Sequence, residues 1–288
     1  ESVRNTLPTP WDSITNVMDG GLAGGELGVL VAPAGIGKTW CLQSLAAHLV
    51  RQGKTVVHYT LELNEAYVGL RYDTVFSGTP TANIKFHQDE VQKVIDGLKG
   101  KLIIKYYPTR SASVNTLASH LKQMEIQEIK PDAVIVDYAD ILKPTTFYKE
   151  KRHATGETYE NLRGMAGEFD IPIWTASQAN RSSLEEDVID ASKVAEDYSK
   201  VMTADFVMSV SRKVEDKIAN TGRVHVIKNR FGVDGITFPA EINTNTGNIQ
   251  VYEASTQGGK EAQGKMDNSE EYLRQTLSKK YKDMGGFE

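Results

Sequence analysis

The segment Ala32-Pro33-Ala34-Gly35-Ile36-Gly37-Lys38-Thr39 constrains this chain more than any other. It follows an apolar run, Leu27-Gly28-Val29-Leu30-Val31, and opens into a helical pattern that begins at Trp40. Strand, glycine-rich turn and helix in that order make the context of a phosphate-binding P-loop. The turn aims backbone N–H groups inward, and the helix N-terminus adds partial positive charge. The expected cradle is Ala34, Gly35, Ile36, Gly37, Lys38, Thr39 and Trp40. Lys38 is placed to reach the β- and γ-phosphates of a nucleoside triphosphate, and the Thr39 hydroxyl to ligate Mg²⁺. Ala32 stands where the motif usually has its first glycine, so that corner must accept a Cβ.

A second signal is Pro131-Asp132-Ala133-Val134-Ile135-Val136-Asp137, an apolar strand that ends in a carboxylate, the Walker B pattern. Asp137 would hold Mg²⁺, partly through water, at the C-terminal edge of a sheet. Asp140 has two readings, support for that site or a solvated loop acid. Glu62 ends the run Thr55–Leu61 between two leucines, an unusual place for an idle charge. If its strand lies next to the P-loop strand, Glu62 faces the γ-phosphate as a general base. The alternative is a surface glutamate. Gln178 ends a further strand, in Ser177-Gln178-Ala179-Asn180-Arg181, and reads either as a contact to the γ-phosphate or as a turn amide.

Apolar runs alternate with helical patterns from Leu27 to about Ser211. Strands are expected at Leu27–Ala32, Thr55–Leu61, Leu102–Tyr107, Ala133–Asp137, Pro172–Ala176 and Phe206–Val210. Helices are expected at Lys38–Arg51, Glu65–Phe76, Val114–Gln127 and Glu157–Phe169. That alternation predicts a mostly parallel α/β sheet covered by helices. Arg223–Asn229 and Ile236–Ile242 follow, separated by a segment ending in Asp234-Gly235, and predict an antiparallel extension. Residues 255–269 are polar and glycine-rich and read as a linker. Glu270–Asp283 has the pattern of a short amphipathic helix.

These segments, in this order, resemble the RecA-like motor domain of hexameric DnaB-type replicative helicases, with features of the phage branch. The resemblance rests on Leu7-Pro8-Thr9-Pro10-Trp11 with Asp19-Gly20-Gly21-Leu22, and on Leu61-Glu62-Leu63 against the family's Leu-Glu-Met. It rests further on Asp137-Tyr138, on Ser177-Gln178 with Asn180-Arg181, and on Lys228-Asn229-Arg230-Phe231-Gly232. It covers residues 7–252. It implies a RecA-like P-loop NTPase core, ATP or another NTP with Mg²⁺, and Glu62 as the catalytic base. It implies Arg230 as an arginine finger entering the neighbouring subunit's site, with Lys228 beside it, and Arg212 near the nucleotide. The implied partners are single-stranded DNA, further copies in a hexameric ring, and the primase, loader and polymerase of a replisome. Two stretches fit DNA-gripping loops, one with Lys149, Lys151 and Arg152, the other with Lys193, Tyr198 and Lys200. For both, a solvated charged loop is the alternative. A RecA-like recombinase and a non-unwinding ring ATPase or switch are the rival functions.

The division expected is an N-terminal linker remnant over residues 1–7, the motor domain over 8–254 and a flexible tail over 255–288. Glu1 in place of Met fits a processed product or a fragment. The net charge of −5 requires any nucleic acid to bind through local basic loops. The single Cys41 allows no internal disulfide and reads as a small core residue, which suits a reducing cytoplasm, and the resemblance implies that of a bacterial or phage-infected cell. No apolar run has the length of a membrane span.

Overall fold

The computed structural model describes residues 3–147, 151–192 and 198–283. In chain order the helices are α1 (Asp12–Val17), α2 (Lys38–Arg51), α3 (Glu65–Ser77), α4 (Gln88–Asp96), α5 (Val114–Ile126), α6 (Lys151–Phe169), α7 (Tyr198–Val201), α8 (Val214–Ala219), α9 (Gln257–Asp267) and α10 (Ser269–Asp283). The strands are β1 (Leu27–Ala32), β2 (Thr55–Thr60), β3 (Lys101–Tyr106), β4 (Ala133–Asp137), β5 (Ile173–Gln178), β6 (Phe206–Ser211), β7 (Thr221–Asn229), β8 (Thr237–Asn243) and β9 (Asn248–Val251). They form one sheet in the order β3-β2-β4-β5-β1-β6-β7-β8-β9. The pairings from β3 to β6 are parallel and those from β6 to β9 antiparallel. The mostly parallel sheet with an antiparallel extension is therefore present.

Every residue of β1 and β4 is buried. Helices cover both faces of these strands, which is why they read as continuous apolar runs. Alternation still sorts the side chains. Leu30 and Ala32 join a core with α2 and α3, while Val29 and Val31 join a second core with α5 and α6. The N-terminal segment is tied to the far strand: the Trp11 indole N–H donates to Ile249 O at 2.8 Å and the Ser13 hydroxyl to Val251 O at 2.7 Å.

Three expectations need correction. First, β2 is not adjacent to β1, because β5 and β4 lie between them. Second, α6 begins at Lys151 rather than Glu157, so Lys151 and Arg152 open a helix instead of lying in a loop. Third, the stretch expected as a linker contains α9, capped by the Thr256 hydroxyl on Gly259 N at 3.1 Å. Ala262 and Met266, one turn apart, are buried as α9 packs on β8. A Gln- and Gly-rich composition hides so narrow an apolar face. No helix among the described residues is long and apolar enough to cross a membrane.

Because Ala262 is fully buried and Lys260 exposed, Ala262→Asp should lower unfolding stability by about 3 kcal/mol or more, through burial of an unpaired carboxylate. Lys260→Asp should stay within about 0.5 kcal/mol of the parent. Urea denaturation followed by circular dichroism checks both.

Candidate active site

The P-loop leaves β1 at the C-terminal edge of the sheet. Ala32 is still a strand residue with its side chain in the core, so its Cβ is accommodated where a glycine is usual. The turn proper needs its glycines. Gly35 has φ +75° and Gly37, which precedes the first turn of α2, has φ +111°. Both values disfavour a side chain. The Ile36 side chain is anchored in the core, while Ala34 and Gly35 are exposed. The backbone between them is thus fixed from behind and open in front, with the free N–H groups of the α2 N-terminus beside it.

A cleft of about 330 Å³ opens over this turn. Ala34, Gly35, Gly37, Lys38, Thr39, Trp40, Glu62 and Gln178 all line it, so expectations from three strand ends converge on one place. Glu62 reaches the cleft although its strand is third from β1. It lies beyond the end of β2, where Leu61 N–H bonds to Asp137 O at 3.0 Å and holds that loop over the edge of β4. Gln178 is brought by register, since Ala32 pairs with Gln178 across β1 and β5. Its side-chain oxygen accepts from the Tyr138 hydroxyl at 3.2 Å. Arg71 of α3, Leu63, and Thr244 in the β8–β9 turn also line the cleft, and no sequence signal singles them out. Arg71 stands 5.2 Å from the Trp40 ring.

Lys38 is buried with its ammonium 3.5 Å from the centre of the Tyr138 ring. Burial lowers its pKa, against the opposing pull of Asp137 and Glu62. Asp137, also buried, is displaced the other way: burial raises its pKa, and the Thr39 hydroxyl and Lys38 work against that rise. Its Oδ1 is buried and without a hydrogen-bond partner. An orphaned carboxylate oxygen beside a threonine hydroxyl is a hard oxygen donor set of the kind that holds a hydrated Mg²⁺ together with phosphate oxygens. Among the described residues no cluster of three His, Cys, Asp or Glu offers an all-protein cage. Asp140 is no solvated acid. Its carboxylate accepts from Gln178 N at 2.9 Å, the Ser177 hydroxyl at 3.2 Å and the Tyr159 hydroxyl at 2.8 Å.

Two expected site residues lie elsewhere. Arg212 is buried and does not line the cleft. Its guanidinium is spent on Thr221 O at 2.9 Å and Ile242 O at 3.0 Å, where it holds β7 and β8. Lys200, expected on a DNA-facing loop, is buried and paired with Asp140 at 3.4 Å, so its charge is turned inward. Lys149 and Lys193 lie outside the described residues, and Tyr198 opens α7. Cys41 is a buried core thiol with its pKa pushed up to about 12 by burial.

Lys228 and Arg230 stand at the opposite edge of the sheet. Lys228 pairs with Val207 near the start of β6, and its ammonium donates to Met202 O. Arg230 is bonded to Asp205 at 3.0 Å, and that aspartate also accepts from Leu27 N, at the beginning of β1, at 2.8 Å. A six-residue β1 separates this group from the P-loop by about 20 Å, at roughly 3.3 Å per residue. Within one chain they cannot meet.

A family profile described as DnaB-like helicase C terminal domain matches residues 7–243. The DnaB-like replicative helicase of Enterobacteria phage T4 is 29% identical over 231 residues, which are 76% of this chain and 49% of that one. A probable plasmid replicative DNA helicase of Chlamydia psittaci is 26% identical over 247 residues, 78% of this chain and 51% of that one. The chain thus spans about half the length of these curated relatives. Among solved structures, an isolated ATPase domain superposes with a TM-score of 0.74 at 18% identity, covering 86% of this chain and 92% of that one. A DnaB-like replicative helicase, described with its interactions with primase, gives 0.74 at 18% identity, covering 88% and 63%.

Lys38→Met removes a buried ammonium while keeping much of the side-chain volume. The variant should fold with little change in thermal stability, because relief of the Lys38 desolvation cost is offset by loss of a cation beside buried Asp137, and should lose nucleotide hydrolysis by about 100-fold or more. Differential scanning calorimetry and a phosphate-release assay measure the two effects.

Proposed function

Because the chain belongs to the DnaB-like helicase C-terminal domain family, we propose that it is the ATP-driven motor of a replicative DNA helicase. It works in a hexameric ring that moves on single-stranded DNA and parts the duplex at a fork. The observation that carries this reading is the division of the chemistry between two sheet edges. Lys38, Thr39, Glu62 and Gln178 share the cleft, whereas Arg230 and Lys228 stand at the far edge, from which they would serve a neighbouring copy's cleft.

In this reading the backbone N–H groups of 34–39 hold the phosphates and Lys38 contacts the β- and γ-oxygens. Thr39 and Asp137 hold Mg²⁺, Asp137 partly through water. Bound there, Mg²⁺ would supply neutralisation of the phosphate charge. Glu62 orients the attacking water and accepts its proton. Gln178 contacts the γ-phosphate, and its backbone is tied through Asp140 to α6 and α7. Arg230 of each copy, with Lys228, completes the next copy's site by neutralising charge that develops in the transition state. Lys149, Lys151, Arg152, Lys193 and Tyr198 are the proposed DNA contacts. Arg212 and Lys200 are assigned no ligand, because their charges are spent inside the fold. Primase, loader and polymerase are the proposed partners, in the cytoplasm of a bacterial or phage-infected cell.

Arg230→Ala and Lys38→Ala should each reduce ATP hydrolysis and forked-duplex unwinding by about 10³-fold. Mixing the two variants should restore hydrolysis, since a ring then contains interfaces with an intact P-loop on one side and an intact Arg230 on the other. Normal hydrolysis by Arg230→Ala alone rejects the finger assignment. DNA-stimulated hydrolysis without strand displacement favours a recombinase-like ATPase.

A further inference from the structure

A buried pair stands behind Asp137 that the proposed chemistry leaves unused. His58 lies in β2, in register with Ile135 of β4, and Tyr72 lies in α3. The Tyr72 hydroxyl is 2.6 Å from His58 Nδ1, and the two rings meet edge to face at 86°. His58 Nε2 points at Asp137 and stands 3.9 Å from its Oδ2. Both His58 Nε2 and Asp137 Oδ1 are buried and lack hydrogen-bond partners. His58, Tyr72 and Asp137 are 0%, 2% and 4% exposed, so bulk solvent does not reach them.

The protons have one consistent arrangement. The Tyr72 hydroxyl and His58 Nδ1 are in hydrogen-bond contact, so one of them donates and the other accepts. If the phenol donates to Nδ1, the ring proton resides on Nε2 and faces the carboxylate. The reverse arrangement aims a bare nitrogen lone pair at a carboxylate and leaves the phenol proton without this acceptor. The gap of 3.9 Å exceeds a hydrogen bond by about 1 Å and is too short for a linear water bridge. A direct bond requires the carboxylate to turn toward the ring.

We propose that His58, oriented by Tyr72, is a positioning residue for Asp137: its Nε2–H holds Oδ2 from behind and thereby presents Oδ1 to the hydrated Mg²⁺ of a bound nucleotide. The inference rests on the nucleotide-site reading above. A hydrogen-bond donor behind a metal-holding carboxylate fixes its rotation without competing for the ion.

The test is equilibrium titration of a fluorescent ATP analogue against the full chain, once with Mg²⁺ and once with EDTA. The parent should bind more tightly with Mg²⁺. His58→Leu should lose about tenfold of affinity in Mg²⁺ and none in EDTA. His58→Gln, whose amide offers a donor near the same place, should retain most of the Mg²⁺ effect. Tyr72→Phe should lose part of it, and should add nothing in the His58→Leu background. Equal Mg²⁺ dependence in His58→Leu and parent overturns the proposal, as does an equal loss in both conditions, which marks a packing effect. If His58→Leu does not fold, Tyr72→Phe decides alone, and an unchanged Mg²⁺ dependence overturns the proposal. A parent without Mg²⁺-dependent binding overturns instead the nucleotide-site reading.

Discussion

Hydrogen-bond register across the parallel strands is the constraint on which the rest of this molecule depends. β1 is bonded on both sides, to β5 and to β6. Parallel strands all leave the sheet at one edge, so the P-loop, Asp137 and Gln178 emerge together. Their relative heights follow from the pairings Ala32 with Gln178 and Thr60 with Asp137. A slip of one residue would carry each of these side chains to the opposite face. The apolar alternation that assigns Leu30 and Val29 to different cores therefore also positions the polar groups at the strand ends.

The parts of the site that are legible in the sequence are those encoded locally. The P-loop, β1 and α2 are contiguous, and their limits in the fold are those the pattern predicts. The strand leading to Asp137 announces itself as an apolar run with a terminal acid. Glu62 does line the cleft, but not because its strand neighbours β1, since strand order is set by pairings between distant segments. Arg71 and Thr244 are silent in the sequence because their presence depends on how α3 and the β8–β9 turn pack. Arg212 and Lys200 show the converse. A sequence displays a cation but not the carbonyls or carboxylate that absorb it. The helix α9 is hidden because its buried face consists of little more than Ala262 and Met266.

Burial acts on the two central charges in opposite senses. It lowers the pKa of Lys38 and raises that of Asp137, and each partly corrects the other. The desolvation of both groups is already present in the folded chain, supplied by the same packing that forms the core.

The aspartate at the far edge has a consequence of its own. Asp205 is buried and accepts from two arginines, Arg163 at 3.1 Å and Arg230 at 3.0 Å, besides Leu27 N. Stripping a buried carboxylate of its sole cation costs about 3–5 kcal/mol. With Arg163 in place that penalty does not arise, so Arg230 is a redundant counterion. A departure of Arg230 would leave Asp205 still paired with Arg163.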